Sequence, residues 1–429
     1  MRYQKIPSEL FVQNRKNLAE LLKPNSLVVL HSNDIMPTNA DGTRSFIQNN
    51  DLFYLTGIDQ EESILILYPD FHQKEWKEIL FVKKTNEEIA IWEGHKYTQE
   101  EATETSGIDS VMWLEEFSKV FNTLMAEVQY VYLNTNEHIR ADVEVETRDA
   151  RFIKWCKEKY PIHNYERVAP LLYSLRAIKS DIEIDFLRKA CDITEDSFRR
   201  VLKFIKPGVK EYEIEAEYIH EFVRNGSKGF AYTPIIASGA SACVLHYIDN
   251  HKDCKEGDLL LMDVGAEYAN YNADMTRCVP VNGKFTARQK EVYEAVLRVK
   301  REAMGLLVPG NTIPEYHKEV GEIMESELIG LGLLDKTDVK NQDPKKPLYR
   351  KYFMHGTSHH IGLDVHDVGN IYIKMKAGMA FTVEPGIYIR EEGLGVRLEN
   401  DVIIKEDGLD DLMKNIPIEV EEIEDLMNQ

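Results

Sequence analysis

Four acidic side chains in this sequence stand where a folded chain least tolerates them. GDLLLMDV delivers Asp263 at the end of a continuous apolar run, and Asp274 follows after GAEYANYNA. AFTVEPGIYI carries Glu384, and GVRLENDVII carries Glu399. All three stretches read as apolar β-strands, with Pro385-Gly386 breaking the second. The segment between Asp263 and Asp274 can turn back as a hairpin, which would bring both carboxylates onto one face of adjacent antiparallel strands. A buried unpaired carboxylate costs several kcal/mol unless it is neutralised or bound to a cation. Any one of these acids alone is most simply a solvent-facing strand residue. All four together need more positive charge than Arg277 and Arg397 supply.

A histidine-rich stretch, MHGTSHHIGLDVHD, lies between the two pairs of acids. It carries His355, His359, His360 and His366, together with Asp364 and Asp367. No HExxH zinc signature accompanies it. Carboxylates joined by one imidazole suit hard or borderline divalent ions, manganese first, with cobalt or zinc as alternatives. Four carboxylates can bridge and hold two such ions.

The rest of the chain is consistent with a two-domain protein, with three domains possible. At 429 residues it exceeds what one hydrophobic core ordinarily supports. LVVLHSN, SILILYP, EILFVKK and VYLNT are strand-like, and WLEEFSKVFNTLMAEV between them is helical, so residues 1–165 read as an α/β domain. KYPIHNYERVAPLL interrupts that pattern. Residues 166–429 open with a helical pair capped at Ser180 and stopped at Pro207-Gly208. EYEIEAEYIHEFVRNG and TARQKEVYEAVLRVKREAM supply further helices, and the end from Lys376 to Lys405 is strand-rich. Helices followed by antiparallel strands, twice over, predict an α+β domain of two related halves.

A net charge of −21 argues against nucleic acid as a partner. The five cysteines are odd in number and contain no CxxC, which suits a reducing compartment. No apolar run approaches the ~20 residues of a membrane span, and MRYQKIPSELFVQNRKNLAELL reads as an amphipathic helix rather than a signal peptide. The expected location is the cytoplasm, without membrane association.

The ordered series Asp263, Asp274, His359, Glu384 and Glu399 resembles the dinuclear metal centre of the pita-bread peptidases, a family that includes methionine aminopeptidase, prolidase and aminopeptidase P. MHGTSHHIGLDVHDVG, TVEPGIY and GVRLEND resemble its proline-specific branch, and SFIQNNDLFYLTG and IWEG resemble that branch's N-terminal domain. The resemblance implies that Asp263 chelates one metal, that Asp274 and Glu399 bridge both, and that His359 and Glu384 bind the other. It implies that His246, His355 and His366 stand just outside the metal ligands, that His355 and His366 stabilise the oxyanion as catalytic groups, that Glu384 shuttles the proton, and that His360 is structural. His246, His366 and Arg397 would line the substrate pocket.

The implied reaction is hydrolysis by an Xaa-Pro aminopeptidase of peptides with proline at the second position. The prolyl nitrogen carries no N–H, so a dedicated site is required. The alternative is an Xaa-Pro dipeptidase (prolidase), which must fix the substrate carboxylate, typically with Arg. DVGNIYIKMKAGMAFTV contains no Arg, although Lys374, Lys376 or Arg397 can be considered for that task. A metal-free binding module or a creatinase-like enzyme is a further alternative, but such relatives typically lose ligands and all five are present here. The family also lends an aromatic from the N-terminal domain to a neighbouring subunit's site. Trp92 matches that segment, which implies a homodimer or homotetramer; the other reading is a Trp packed inside its own domain.

Overall fold

A computed structural model describes residues 2–141 and 143–429. The chain forms two compact units, one of residues Gln4–Arg176 and one of Met1–Tyr3 with Ala177–Gln429. Among the described residues, no helix is long and apolar enough to cross a membrane.

The Gln4–Arg176 unit is built on a six-stranded sheet. Its strands are β1 (Ser26–His31), β2 (Ile64–Leu67), β3 (Glu78–Val82), β4 (Val111–Trp113), β5 (Tyr130–Leu133) and β6 (Asn164–Arg167). They lie in the order β4-β3-β2-β1-β5-β6. β1 is central, antiparallel to β2 and parallel to β5. Every residue of β1 is buried, which is why it reads as an unbroken apolar run rather than an alternation. Its core joins Val29, Ile66, Phe81, Phe121 and Val131. The expected boundary near residue 165 falls inside this unit. β6 pairs in parallel with β5, and the helix Ala169–Arg176 follows it. β6 is a half-exposed edge strand, so its sequence NYER carries little apolar signal. The helix expected from Trp113 begins later, at Phe117, because Trp113 ends β4 beside Val82.

The Ala177–Gln429 unit opens with one helix, Asp181–Phe204, in place of the expected helical pair. Ser180 caps it in a reciprocal capping box with Glu183. The helix Glu211–Arg224 packs against it. Strands β7 (Ile235–Ser238), β8 (Leu259–Val264), β9 (Glu267–Tyr268), β10 (Tyr271–Asn272) and β11 (Met275–Pro280) follow. β8 lies between β7 and β11, antiparallel to both. β9 and β10 form the expected hairpin, turning through Ala269 and Asn270 at φ 55° and 67°, as a two-residue turn with positive φ at both positions requires. Gly265 leaves β8 so close to the returning strand that a Cβ there would sit 1.7 Å from the Ala273 carbonyl oxygen.

The carboxyl-terminal half contributes β12 (Ala380–Val383), β13 (Gly386–Ile389), β14 (Leu394–Arg397), β15 (Asn400–Lys405) and β16 (Gly408–Asp411). β12, β15 and β16 form one sheet, and β13 with β14 a ribbon. Pro385 therefore separates two different sheets. Of the four acids, only Asp263 lies within a strand. Asp274, Glu384 and Glu399 occupy the junctions before β11, between β12 and β13, and between β14 and β15.

Helix Ala287–Leu306 buries Lys300, which is 3% exposed. Burial, helped by the nearby Arg277, pushes this ammonium down to about 7. Between that value and the ordinary lysine pKa near ~10.4, the unfolded chain holds a proton that the folded chain has released, so stability rises with pH across that window. Lys300→Met should accordingly stabilise the fold most at or below pH 7, by on the order of a few kcal/mol, with the gap to the parent closing towards pH ~10. Thermal unfolding at a series of pH values checks this; a gap that widens with pH would contradict it.

Candidate metal centre

Antiparallel pairing places Thr276 of β11 opposite Asp263 of β8. The backbone N–H of Glu399 donates to the Thr276 carbonyl oxygen at 3.0 Å, which draws the β14–β15 junction against the same strand. On the other side, the segment bearing His359 runs beside β12: the Thr382 N–H donates to the His359 carbonyl, and the Glu384 N–H to that of Thr357. Five chain segments thus converge on one point. Asp274, His359 and Glu399 each offer a donor atom, all within 4.8 Å of one another. His359 Nε2 lies 3.5 Å from Asp274 Oδ2 and 3.8 Å from Glu384 Oε1. Its Nδ1 bonds the His360 carbonyl at 2.9 Å. A carbonyl oxygen only accepts, so Nδ1 carries a proton, and Nε2 is the ring nitrogen that faces the carboxylates.

Asp263 enters the cluster through two partners, Arg397 and Tyr232. Tyr232 Oη is 2.5 Å from Asp263 Oδ1 and 2.6 Å from Asp274 Oδ1. One hydroxyl hydrogen cannot satisfy both contacts; two carboxylates that close need a further proton or a cation between them. The electrostatics agree. Burial first, and then the neighbouring acids, raise the Glu384 carboxyl to about 7, against the opposing pull of His359 and Arg397. Glu399 is driven well above its usual range for the same reasons. Asp263 is raised by burial despite Arg397. Burial works against charge on His359, but Asp274 and Glu384 outweigh it and raise its pKa. Four acids, one imidazole and one guanidinium make a donor set with excess negative charge, which fits divalent cations.

The two arginines serve other ends than free neutralisation. Arg277 donates to the carbonyls of Thr276, Glu399 and Pro417 and to Asn400 Oδ1, so it braces backbone. Arg397 is 4% exposed, and all three of its nitrogens are engaged, with Thr276 Oγ1, Tyr388 Oη and Asp263. Its bonds brace Thr276, Tyr388 and Asp263 against one another.

His355 is held through both ring nitrogens. Its Nδ1 donates to the Gly356 carbonyl at 2.7 Å, which leaves Nε2 to accept the Tyr388 hydroxyl at 2.8 Å. Burial and the nearby Arg397 push its pKa down to about 3. In this arrangement both ring nitrogens are committed, and the ring supports Tyr388. His366 is exposed, its ring edge-on to His359 with centroids 4.4 Å apart. His246 is exposed and close enough to His355 to act on its charge, as is His317. His360 packs on Phe381 with ring centroids 4.3 Å apart, beneath Gly369, and is buried. Trp92 is 85% exposed on the helix Glu87–Glu93, which buries none of its residues, so it is not packed inside its own unit.

Sequence reading missed Tyr232, Tyr388, Thr276 and His317. Tyr232 lies in FAYTPIIASG, without any local signal. It reaches the acids because Phe230 and Ala231 pair with Ala266 and Gly265, just past Asp263.

Two family models match the chain: metallopeptidase family M24 over residues 185–406 and the aminopeptidase P N-terminal domain over residues 11–132. The Xaa-Pro aminopeptidase of Escherichia coli is 35% identical, with 98% of each chain covered. The human Xaa-Pro dipeptidase is 31% identical over 99% of this chain and 94% of its own. A solved structure of zinc-substituted E. coli aminopeptidase P in complex with product superposes with a TM-score of 0.87 at 34% identity, covering 99% of both chains.

Carboxyls raised by burial and then by one another hold protons that a bound cation must displace. They also stabilise the metal-free fold below their unfolded values, near ~4, and lose that contribution as pH rises through the folded ones. The chelated protein should therefore melt at falling temperatures as pH rises from about 5 to about 7.5. Added Mn²⁺ should bind more tightly at the upper end and release protons. Calorimetric titration in buffers of different ionisation enthalpy reads this directly; metal affinity independent of pH would overturn it.

Proposed function

The chain belongs to metallopeptidase family M24, in its Xaa-Pro aminopeptidase branch, and from that premise we propose that Asp263, Asp274, His359, Glu384 and Glu399 hold two divalent ions, manganese by preference, for hydrolysis of the bond before a proline at position two. The observation that carries this reading is the cluster of four carboxylates around His359, whose buried excess of negative charge calls for cations. Bound divalent cations supply the acidity that makes water a nucleophile near neutral pH and withdraw charge from the scissile carbonyl.

The protein's own groups do the rest. Tyr232 and Arg397 hold Asp263 in one rotamer, and Thr276 Oγ1 donates to Glu399 Oε2 at 2.7 Å, so the donor oxygens are preorganised. Glu384 is the carboxylate we assign to pass a proton to the leaving prolyl nitrogen, which has none of its own. His366, exposed beside His359, is the imidazole we assign to face a substrate carbonyl and stabilise charge developing there. His355 acts through Tyr388 rather than on the substrate.

The dipeptidase alternative needs a cation fork for the substrate carboxylate. Arg397, the nearest guanidinium, is fully engaged with Thr276, Tyr388 and Asp263. That favours an open far side and peptides longer than two residues. The exposed Ile91 and Trp92 support an assembly of at least two copies in which this helix is covered. Five unpaired, buried cysteines support a reducing, cytoplasmic setting.

Metal-loaded protein should cleave Xaa-Pro-Yaa tripeptides at least as well as Xaa-Pro dipeptides, because residues beyond proline add binding energy usable in the transition state. An acetylated amino terminus should abolish cleavage. His366→Ala should lower kcat by roughly 10²-fold with metal content unchanged. Side-by-side assays of the two substrate lengths, with metal analysis, test the reading; inert tripeptides beside cleaved dipeptides would make the enzyme a prolidase.

A further inference from the structure

Lys179, in the stretch RAIKSD just ahead of the helix Asp181–Phe204, has no part in the chemistry described above, yet it is a fully buried cation. Its Nζ lies 2.8 Å from Asp367 Oδ2, and both side chains are 1% exposed. Asp367 is the chain neighbour of His366, whose own side chain is exposed beside His359. We propose that Lys179 is a positioning residue: through its ion pair with Asp367 it fixes the direction in which His366 meets the substrate. The proposal rests on the role assigned to His366 and extends it to a residue far away in the sequence.

The geometry makes the pair a fixed anchor. At one end, the Lys179 N–H donates to the Gly378 carbonyl at 2.8 Å, and Ile178 bridges to Met379. The cation is thereby tied to the approach to β12, the same strand that carries the Glu384 junction. At the other end, the Asp367 N–H donates to the His360 carbonyl at 2.9 Å, closing residues 360–367 into a loop. Asp367 Oδ1 accepts the Val368 N–H, which leaves Oδ2 for the ammonium. Asn272, two residues before Asp274, donates to the Gly362 and Leu363 carbonyls and holds the loop from beneath. Gly362 permits the approach: a Cβ there would lie 2.2 Å from Asp367 Oδ2 and 3.0 Å from Lys179 Nζ.

A purely structural role could be filled as well by apolar side chains, since replacing a buried ion pair with packed hydrophobic residues is often neutral for stability. A charged pair does something packing does not, because it sets a donor–acceptor direction. One peptide bond separates the anchored carboxylate from His366, so freedom gained at Asp367 passes to the imidazole. Loosening by a small displacement costs rate rather than fold.

The experiment uses the full-length, metal-loaded enzyme. Asp367→Asn breaks the pair but leaves a buried ammonium unmatched. The double variant Lys179→Met/Asp367→Asn removes both charges at nearly constant volume and is measured alongside it. The double variant is expected to keep its metal content and melting profile and to lose at least tenfold in kcat on an Xaa-Pro-Yaa substrate, with KM within about twofold. Its His366 imidazole resonance, assigned by its loss in His366→Ala, should broaden or shift in ¹⁵N-histidine spectra. Wild-type kcat with an unmoved His366 resonance would overturn the proposal. Full activity in His366→Ala would instead remove the role given to His366, while the spectrum would still report on the anchor.

Discussion

The fold is organised around a repulsion. Asp263, Asp274, Glu384 and Glu399 approach one another in a buried space where Arg397 is bonded to Asp263 and His359 lies near Asp274 and Glu384. Left alone, such a cluster drives its own protonation, and the raised pKa of Glu384 and Glu399 expresses that cost. The surrounding structure holds it together regardless. Arg277 ties the backbone of residues 399–400 to β11, and Gly265 lets β8 and the returning strand approach at a distance no side chain would allow. Stability given up at the centre in the absence of cations is returned when they bind, which couples metal content to folding.

A second layer converts that cluster into a directional site. Tyr232, Thr276 and Tyr388 are uncharged, yet each fixes a charged or imidazole neighbour. Tyr232 spans Asp263 and Asp274, Thr276 joins Glu399 to Arg397, and Tyr388 joins Arg397 to His355. These bonds run between strands distant in sequence. The position of each donor oxygen is set by several chain segments at once, as preorganised chemistry requires.

That division explains what the sequence made legible. Acids such as Asp263 and Glu399 stood out because an apolar run makes a carboxylate conspicuous, and the histidine-rich stretch stood out by composition. β1, β2, β3 and β5 were readable because burial on both faces leaves uninterrupted apolar text. The half-exposed β6 was not, so the boundary between the units was placed too early. Tyr232 was invisible because its function depends on a pairing between residues 230–231 and 265–266 that no local pattern encodes. Arg397 was recognised as important, but its three partners Thr276, Tyr388 and Asp263 were not legible. Composition shows that a guanidinium is near, and only coordinates show which way its nitrogens point. The same holds for His355, whose tautomer follows from one carbonyl and one phenol.

The account turns on whether these five side chains share cations. Crystals of the protein grown with Mn²⁺, with diffraction recorded on either side of the manganese absorption edge, would decide it. Two anomalous peaks enclosed by Asp263, Asp274, His359, Glu384 and Glu399 are expected. Density with no anomalous peak among them, in a protein that still cleaves peptides before proline, would contradict the account.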